Sequence, residues 1–142
     1  MSFVLDSSVA LSWCFEDEHT PLSVALLERV AESGAMAPLL WPLEVLNGLL
    51  MAERRNRLDG ARRQQLSGFL HNLPVTLDLE TSTQAWTETV QLAQRFRLTV
   101  YDAVYLELAQ RSGVALATLD QDLRAAAGAL GVSLLGAEGT GA

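Results

Sequence analysis

Lysine is absent from the 142 residues, and all ten basic side chains are arginine. Cysteine is nearly absent: Cys14 stands alone, which excludes an intrachain disulfide and any metal site built on thiolates. The two histidines, His19 and His71, lie far apart and match no zinc-ligand spacing. No apolar run approaches the length needed to span a bilayer. The opening MSFVLDSSVA has no basic region before its apolar stretch, and Asp6 interrupts it early. It does not read as a secretory signal, so a cytoplasmic protein with no membrane association is expected. Positive charge is scarce as well, and the formal net charge is −7. That argues against a nucleic-acid binder working through a broad basic face. It leaves room for a protein whose carboxylates are partly neutralised by metal ions.

Apolar residues, by contrast, are plentiful. At 49% hydrophobic, a chain of this length can bury a sizeable core as one domain. There is no internal repeat and no linker to divide it. The final residues, GAEGTGA, are small and glycine-rich and read as a loose tail over 136–142.

Short apolar runs alternate with helical segments. Strand candidates are Phe3-Val4-Leu5, Ala35-Met36-Ala37, Pro74 to Leu77, Val114 to Leu119 and Val132 to Leu135. The fourth is a continuous apolar run suited to the middle of a parallel sheet. Thr20-Pro21, a cap followed by a first-turn proline, predicts a helix over 21–33 that ends before Gly34. Pro42 opens a second helix to about Arg55, and Asp59 caps a third to about His71. Thr81 to Gln84 resembles a capping box opening a helix to about Arg95. Thr99 to Asp102 is a second such box, for a helix that stops at Gly113, and a last helix covers about 121–130. Strands alternating with helices imply a parallel sheet covered on both faces. In such folds the active site lies beyond the carboxyl ends of the strands.

Acidic residues gather at that edge. Asp6 ends the first strand and Asp120 ends the most buried one. Glu44 and Asp102 fall in first turns of helices whose amino termini point the same way. Two carboxylates about 6 Å apart repel by roughly 3 kcal/mol at an effective dielectric near 20. Four would take up protons unless divalent cations occupied the centre. Ligands made only of oxygen favour Mg²⁺ or Mn²⁺, and such sites typically hydrolyse phosphodiesters. Each acid also has a purely structural reading. Asp6 can make a turn, Glu44 can favour a helix dipole, Asp102 can complete the box with Thr99, and Asp120 or Asp122 can cap the last helix. Their common position at one sheet edge tips the balance toward a site.

The motifs VLDSSV, WPLEVLNGL, LTVYDAVYLELA and LATLDQDL, in that order, resemble the four motifs of PIN domains. The match looks closest to the VapC-type toxins and runs from about Phe3 to Leu135, which would make residues 1–135 the domain. The resemblance implies a three-layer α/β/α sandwich around a mainly parallel five-stranded sheet. It also implies a Mg²⁺- or Mn²⁺-dependent endoribonuclease with Asp6, Glu44, Asp102 and Asp120 as catalytic and metal-binding acids. Ser8 matches the hydroxyl that supports the first aspartate, and Asn47 matches a polar position near the site. Asp120 is favoured over Asp122 because it follows Thr118-Leu119 directly, with Asp122 left as an assistant to a second ion. The family further implies an RNA substrate, a homodimer, and a cognate antitoxin whose carboxyl-terminal segment wraps the toxin.

Arg54, Arg55, Arg57, Arg62 and Arg63 form a local basic cluster suited to phosphates, and equally to a solvated helix surface. Trp13, Trp41 and Trp86 read as core or dimer contacts, Tyr101 and Tyr105 as packed against the sheet, and Cys14 as a small buried hydrophobe. Two other readings compete. Receiver domains and haloacid-dehalogenase-like phosphatases also place acids at strand ends, but those families use a lysine near the phosphate, and this chain has none. A PIN-like module that binds without cutting is set against the intact set of four acids.

Overall fold

The computed structural model describes residues 2–136. Five strands form one sheet in the order β3-β2-β1-β4-β5: β1 Phe3–Leu5, β2 Ala35–Pro38, β3 Val75–Asp78, β4 Ala115–Ala117 and β5 Leu134–Leu135. Every neighbouring pair is parallel. The helices are α1 Ser7–Ser12, α2 Pro21–Ser33, α3 Trp41–Arg54, α4 Gly60–His71, α5 Thr81–Gln84, α6 Val90–Phe96, α7 Val100–Ser112 and α8 Gln121–Leu130. The chain steps outward from β1 through β2 to β3, then crosses back to β4 and on to β5. Right-handed crossovers therefore place α1 to α4 on one face and α5 to α8 on the other. The result is the expected three-layer arrangement, with the sheet parallel throughout.

Burial follows from that layering. Phe3, Val4 and Leu5 are all buried, as a central strand covered on both faces requires. Along α7 every residue from Ala103 to Ala109 is buried, because this helix crosses β1, β2 and β4 and is itself flanked by α6 and α8. Trp13, Trp41, Tyr105 and Cys14 belong to the core, as expected.

Helix starts obey their local signals. Thr20 Oγ1 accepts from Ser23 N (3.1 Å), and Ser23 Oγ accepts from Thr20 N (2.9 Å). Asp59 accepts from Arg62 N at 2.7 Å, and Thr99 from Asp102 N at 3.0 Å. The predicted helix from Thr81 departs from expectation. Glu80 holds the cap position, while the Thr81 hydroxyl accepts from Leu39 N (3.0 Å) and donates to Asp78 O (2.8 Å). Thr81 thus ties together the segments leaving β2 and β3. The helix is then interrupted by a wider π turn over Ala85–Thr89 before α6 resumes. That turn leaves Trp86 86% exposed, and Tyr101 is 67% exposed, so neither lies in the core and Tyr101 does not pack against the sheet. The short helix α1 was not expected at all. The predicted tail over 136–142 lies, apart from Gly136, outside the described residues. Among the described residues no helix is long and apolar enough to cross a membrane.

Candidate active site

Strand order determines where the site sits. The chain leaves β1 toward β2 on one side, and β4 lies on its other side, so the carboxyl ends of β1 and β4 flank the point where the direction of winding reverses. A crevice opens at such a point in parallel sheets. The register pairs Leu5 with Ala117, which brings the next residues, Asp6 and Thr118, level with each other.

Asp6 is buried, and its carboxylate is held by hydroxyls. Ser8 Oγ donates to Asp6 Oδ2 at 2.6 Å and Thr118 Oγ1 donates to the same oxygen at 2.7 Å. Ser8 in turn accepts from Leu119 N (3.0 Å), and Thr118 accepts from Asp120 N (3.1 Å). The two hydroxyls therefore couple the turn after β1 to the turn after β4. Asp120 caps α8 through Leu123 N at 2.9 Å, so its structural reading holds alongside any functional one. Glu44, in the first turn of α3, accepts at Oε1 from Tyr105 Oη (2.5 Å) and Ser7 Oγ (3.4 Å). Asp102 stands in the first turn of α7, one helical turn before Tyr105.

Electrostatics tie these acids into one group. Burial raises the pKa of Asp6, the Ser8 and Thr118 hydrogen bonds oppose it, and the charge of Asp120 adds to the rise. Asp102 is raised by burial and then by Asp120, Asp6 and Asp122. Glu44 is raised by burial, against the Tyr105 hydrogen bond, with Asp6 and Asp102 pushing further in the same direction. The main charges acting on these three acids are other carboxylates, and no arginine figures among them. Burial, followed by the charges of Asp6 and Glu44, holds the Tyr105 phenol far above its ordinary range. Tyr105 therefore stays protonated and remains a donor to Glu44.

As placed, no three His, Cys, Asp or Glu side chains among the described residues lie close enough to ligate a single ion. The donor set nonetheless fits a hard divalent cation. It is all oxygen, the charges acting most on its acids are other carboxylates, and Mg²⁺ is commonly held by one or two carboxylates with waters and substrate phosphate completing the shell.

The structure brings Asp6 and Asp102 into electrostatic range of both Glu44 and Asp120, and Ser8 is hydrogen-bonded to Asp6. Asp122 is exposed on α8 and acts on Asp102 only as a nearby charge. Asn47 is exposed one turn beyond Glu44, with no hydrogen bond to the acids among the described residues. Sequence reasoning passed over Thr118, Tyr105 and Ser7. The spacing of Asp102 and Tyr105, one turn apart on the same helix face, was the available signal for Tyr105. In the sequence Thr118 served only to mark Asp120, and the place of its hydroxyl beside Asp6 depends on the β1–β4 register.

The arginine cluster is partly spent within the protein. Arg57 pairs with Asp17 (3.2 Å) and Glu18 (3.1 Å), and Arg63 pairs with Glu53. Arg54 and Arg55 are exposed at the end of α3. An apolar cleft of about 460 Å³ lies between α3, α4 and β3, lined by Trp41, Val45, Leu70 and Leu77 among others. Among the described residues His71 is the only titratable side chain lining it.

The family model for the PIN domain matches residues 3–129, nearly the whole chain. The chain belongs to the PIN-domain family. Members are generally nucleases that use divalent metal ions, and the acids just described occupy the positions of the four PIN-like motifs. This PIN domain is similar in structure to PAE2754 from Pyrobaculum aerophilum, with a TM-score of 0.66 and 24% identity over 89% of this chain and 79% of that one. It is also similar to FitAcB from Neisseria gonorrhoeae, with a TM-score of 0.65 and 15% identity over 94% of this chain and 96% of that one. At these identities the likeness concerns the fold. No curated protein matches the sequence.

Proposed function

We propose that this PIN domain is a Mg²⁺- or Mn²⁺-dependent endoribonuclease that hydrolyses RNA phosphodiester bonds, acting as the toxin of a toxin–antitoxin pair. The observation that carries the nuclease reading is the buried Asp6 carboxylate at the switch point, oriented by two hydroxyls and surrounded electrostatically by other carboxylates. The toxin role rests on the likeness of the four motifs to VapC-type sequences, as do a cytoplasmic location, a homodimer and inhibition by a cognate antitoxin.

Asp6, Asp102, Asp120 and Glu44 would hold the cation, with Asp122 at hand for a second. When bound, the ion supplies Lewis-acid stabilisation of phosphate charge and an acidified water. The protein's own contribution is orientation. Ser8 and Thr118 fix the Asp6 carboxylate, so little reorganisation remains to be made when substrate arrives. Tyr105 and Ser7 occupy Glu44 Oε1, which leaves its other oxygen, Oε2, for the cation. RNA cleavage assayed with Mg²⁺, with Mn²⁺ and with chelator tests the reading. Cleavage that is metal-dependent in the wild type and lost in Asp6→Asn is the expected result. Equal cleavage by Asp6→Asn would remove the site assignment.

A further inference from the structure

A buried cation lies behind the acids, in a residue outside the chemistry of the four motifs. Arg124 on α8 is 4% exposed, and a charge so buried needs compensating hydrogen bonds. Its Nη1 donates to Thr118 O at 2.7 Å and to Leu135 O at 2.9 Å. These two carbonyls stand where the β4–β5 ladder gives out. The last paired residues are Ala117 and Leu135, and Thr118 N reaches Leu135 O only at 3.4 Å. One guanidinium nitrogen thus bridges the two strands beyond their last regular rung. Arg124 N donates to Asp120 O at 3.0 Å, the ordinary first backbone bond of α8, so only the side-chain bonds to Thr118 O and Leu135 O are particular to arginine. Thr118 is the residue whose hydroxyl donates to Asp6 and accepts from the Asp120 amide.

We infer that Arg124 is a positioning residue: its grip on the Thr118 and Leu135 carbonyls holds the turn after β4, and through the Thr118 hydroxyl it holds the Asp6 carboxylate. The geometry suits arginine in particular, whose rigid planar fork keeps its donors fixed, whereas lysine offers a flexible point charge. The kinetic consequence rests on the nuclease reading, but the clamp itself does not.

The test compares the full-length wild type with Arg124→Met, Arg124→Lys, Thr118→Val and the double variant Arg124→Met/Thr118→Val. Amide hydrogen exchange is read residue by residue, and RNA cleavage is followed with Mn²⁺. In Arg124→Met the Leu119 and Asp120 amides should exchange about tenfold faster or more, as expected for loss of a hydrogen bond from a charged donor, while β1 and β2 amides keep wild-type protection. Cleavage should lose kcat with KM for RNA unchanged, and Arg124→Lys should fall between wild type and Arg124→Met. Because Arg124 acts through Thr118, the double variant should be no worse than Thr118→Val alone. If Arg124→Met does not fold, the comparison of Arg124→Lys with wild type at the same amides decides. Unchanged exchange at Leu119 and Asp120, uniform loosening of the whole sheet, or additive losses in the double variant would each overturn the clamp. A wild type that cleaves no RNA removes the nuclease reading instead and leaves the exchange result to judge Arg124.

Discussion

At the scale of single residues, Asp6 is surrounded by hydroxyls in the place where a cation would stabilise it more, and that choice has a measurable cost. Asp6, Glu44 and Asp102 all have folded-state pKa values above their ordinary ones. In the pH interval between the ordinary and the raised values, the folded chain binds more protons than the unfolded chain. Stability of the metal-free protein therefore falls as pH rises through that interval. Melting temperature without metal should be lower at pH about 7 than at pH about 5, and Mn²⁺ should flatten the difference by compensating the carboxylates. A melting temperature that rises over this range without metal would contradict the account. Asp120 serves as both a cap and a charge, and substitution separates the two roles. Asp120→Asn keeps a cap-competent oxygen and should retain stability while losing metal response. Asp120→Ala should lose about 1 kcal/mol more from the vacated cap, which thermal denaturation of the pair would register. Asp122→Asn, at an exposed position, should leave cleavage within a few-fold of wild type; abolished cleavage would promote Asp122 to the site.

Single elements were largely legible where a local signal decides them. Thr20-Pro21, Asp59 and Thr99 announce helix starts because a side-chain oxygen three residues from a free amide is a purely local device. Asp6 was legible as the residue directly after the short apolar run of β1. The helix α1 was not, because SSVALS directly continues the apolar run of β1 and six residues are too few for a periodic signal. Thr81 misled because its hydroxyl is claimed by Leu39 N, a contact set by tertiary structure. The run Val114 to Leu119 overstated β4, which stops at Ala117 so that Thr118 can turn its hydroxyl to Asp6. Gly34 joins α2 to β2 with φ of +76°, and a Cβ there would lie 2.9 Å from Pro74 O. Gly34→Ala should therefore destabilise by about 2 kcal/mol, from the left-handed backbone and the clash together. Chemical denaturation reads this directly, and a neutral result would show that the turn relaxes freely.

For the whole molecule, the metal and the surface matter together. At about 100 times its dissociation constant, a bound ion adds roughly 2.7 kcal/mol to stability. The gain with Mn²⁺ should vanish in a variant lacking both Asp102 and Asp120, and identical melting curves with Mn²⁺ and with chelator would count against a metal site. Leu43, Leu79, Trp86 and Tyr101 are all more than half exposed, an apolar content at the surface that agrees with the proposed self-association. Light scattering should report a dimer in solution. A monomer at every concentration would remove the dimer while leaving the nuclease proposal intact.

The hydrogen bond from Thr118 to Asp6 spans 112 positions of the chain, because β1, synthesised first, finds β4 as its neighbour only near the end. A ribosome making this protein therefore releases Asp6, Glu44 and Asp102 before Thr118 and Asp120 exist. At roughly 5–20 residues per second, the nascent chain spends most of its synthesis unable to assemble the cluster. Fragments that end before β4 should be harmless to the cell that makes them, and expression of a series of truncations would show toxicity appearing only once the turn after β4 is included. Under the proposed toxin role, the order of strands in the sheet thus acts as a delay that holds back the assembled cluster until the turn after β4 has been made.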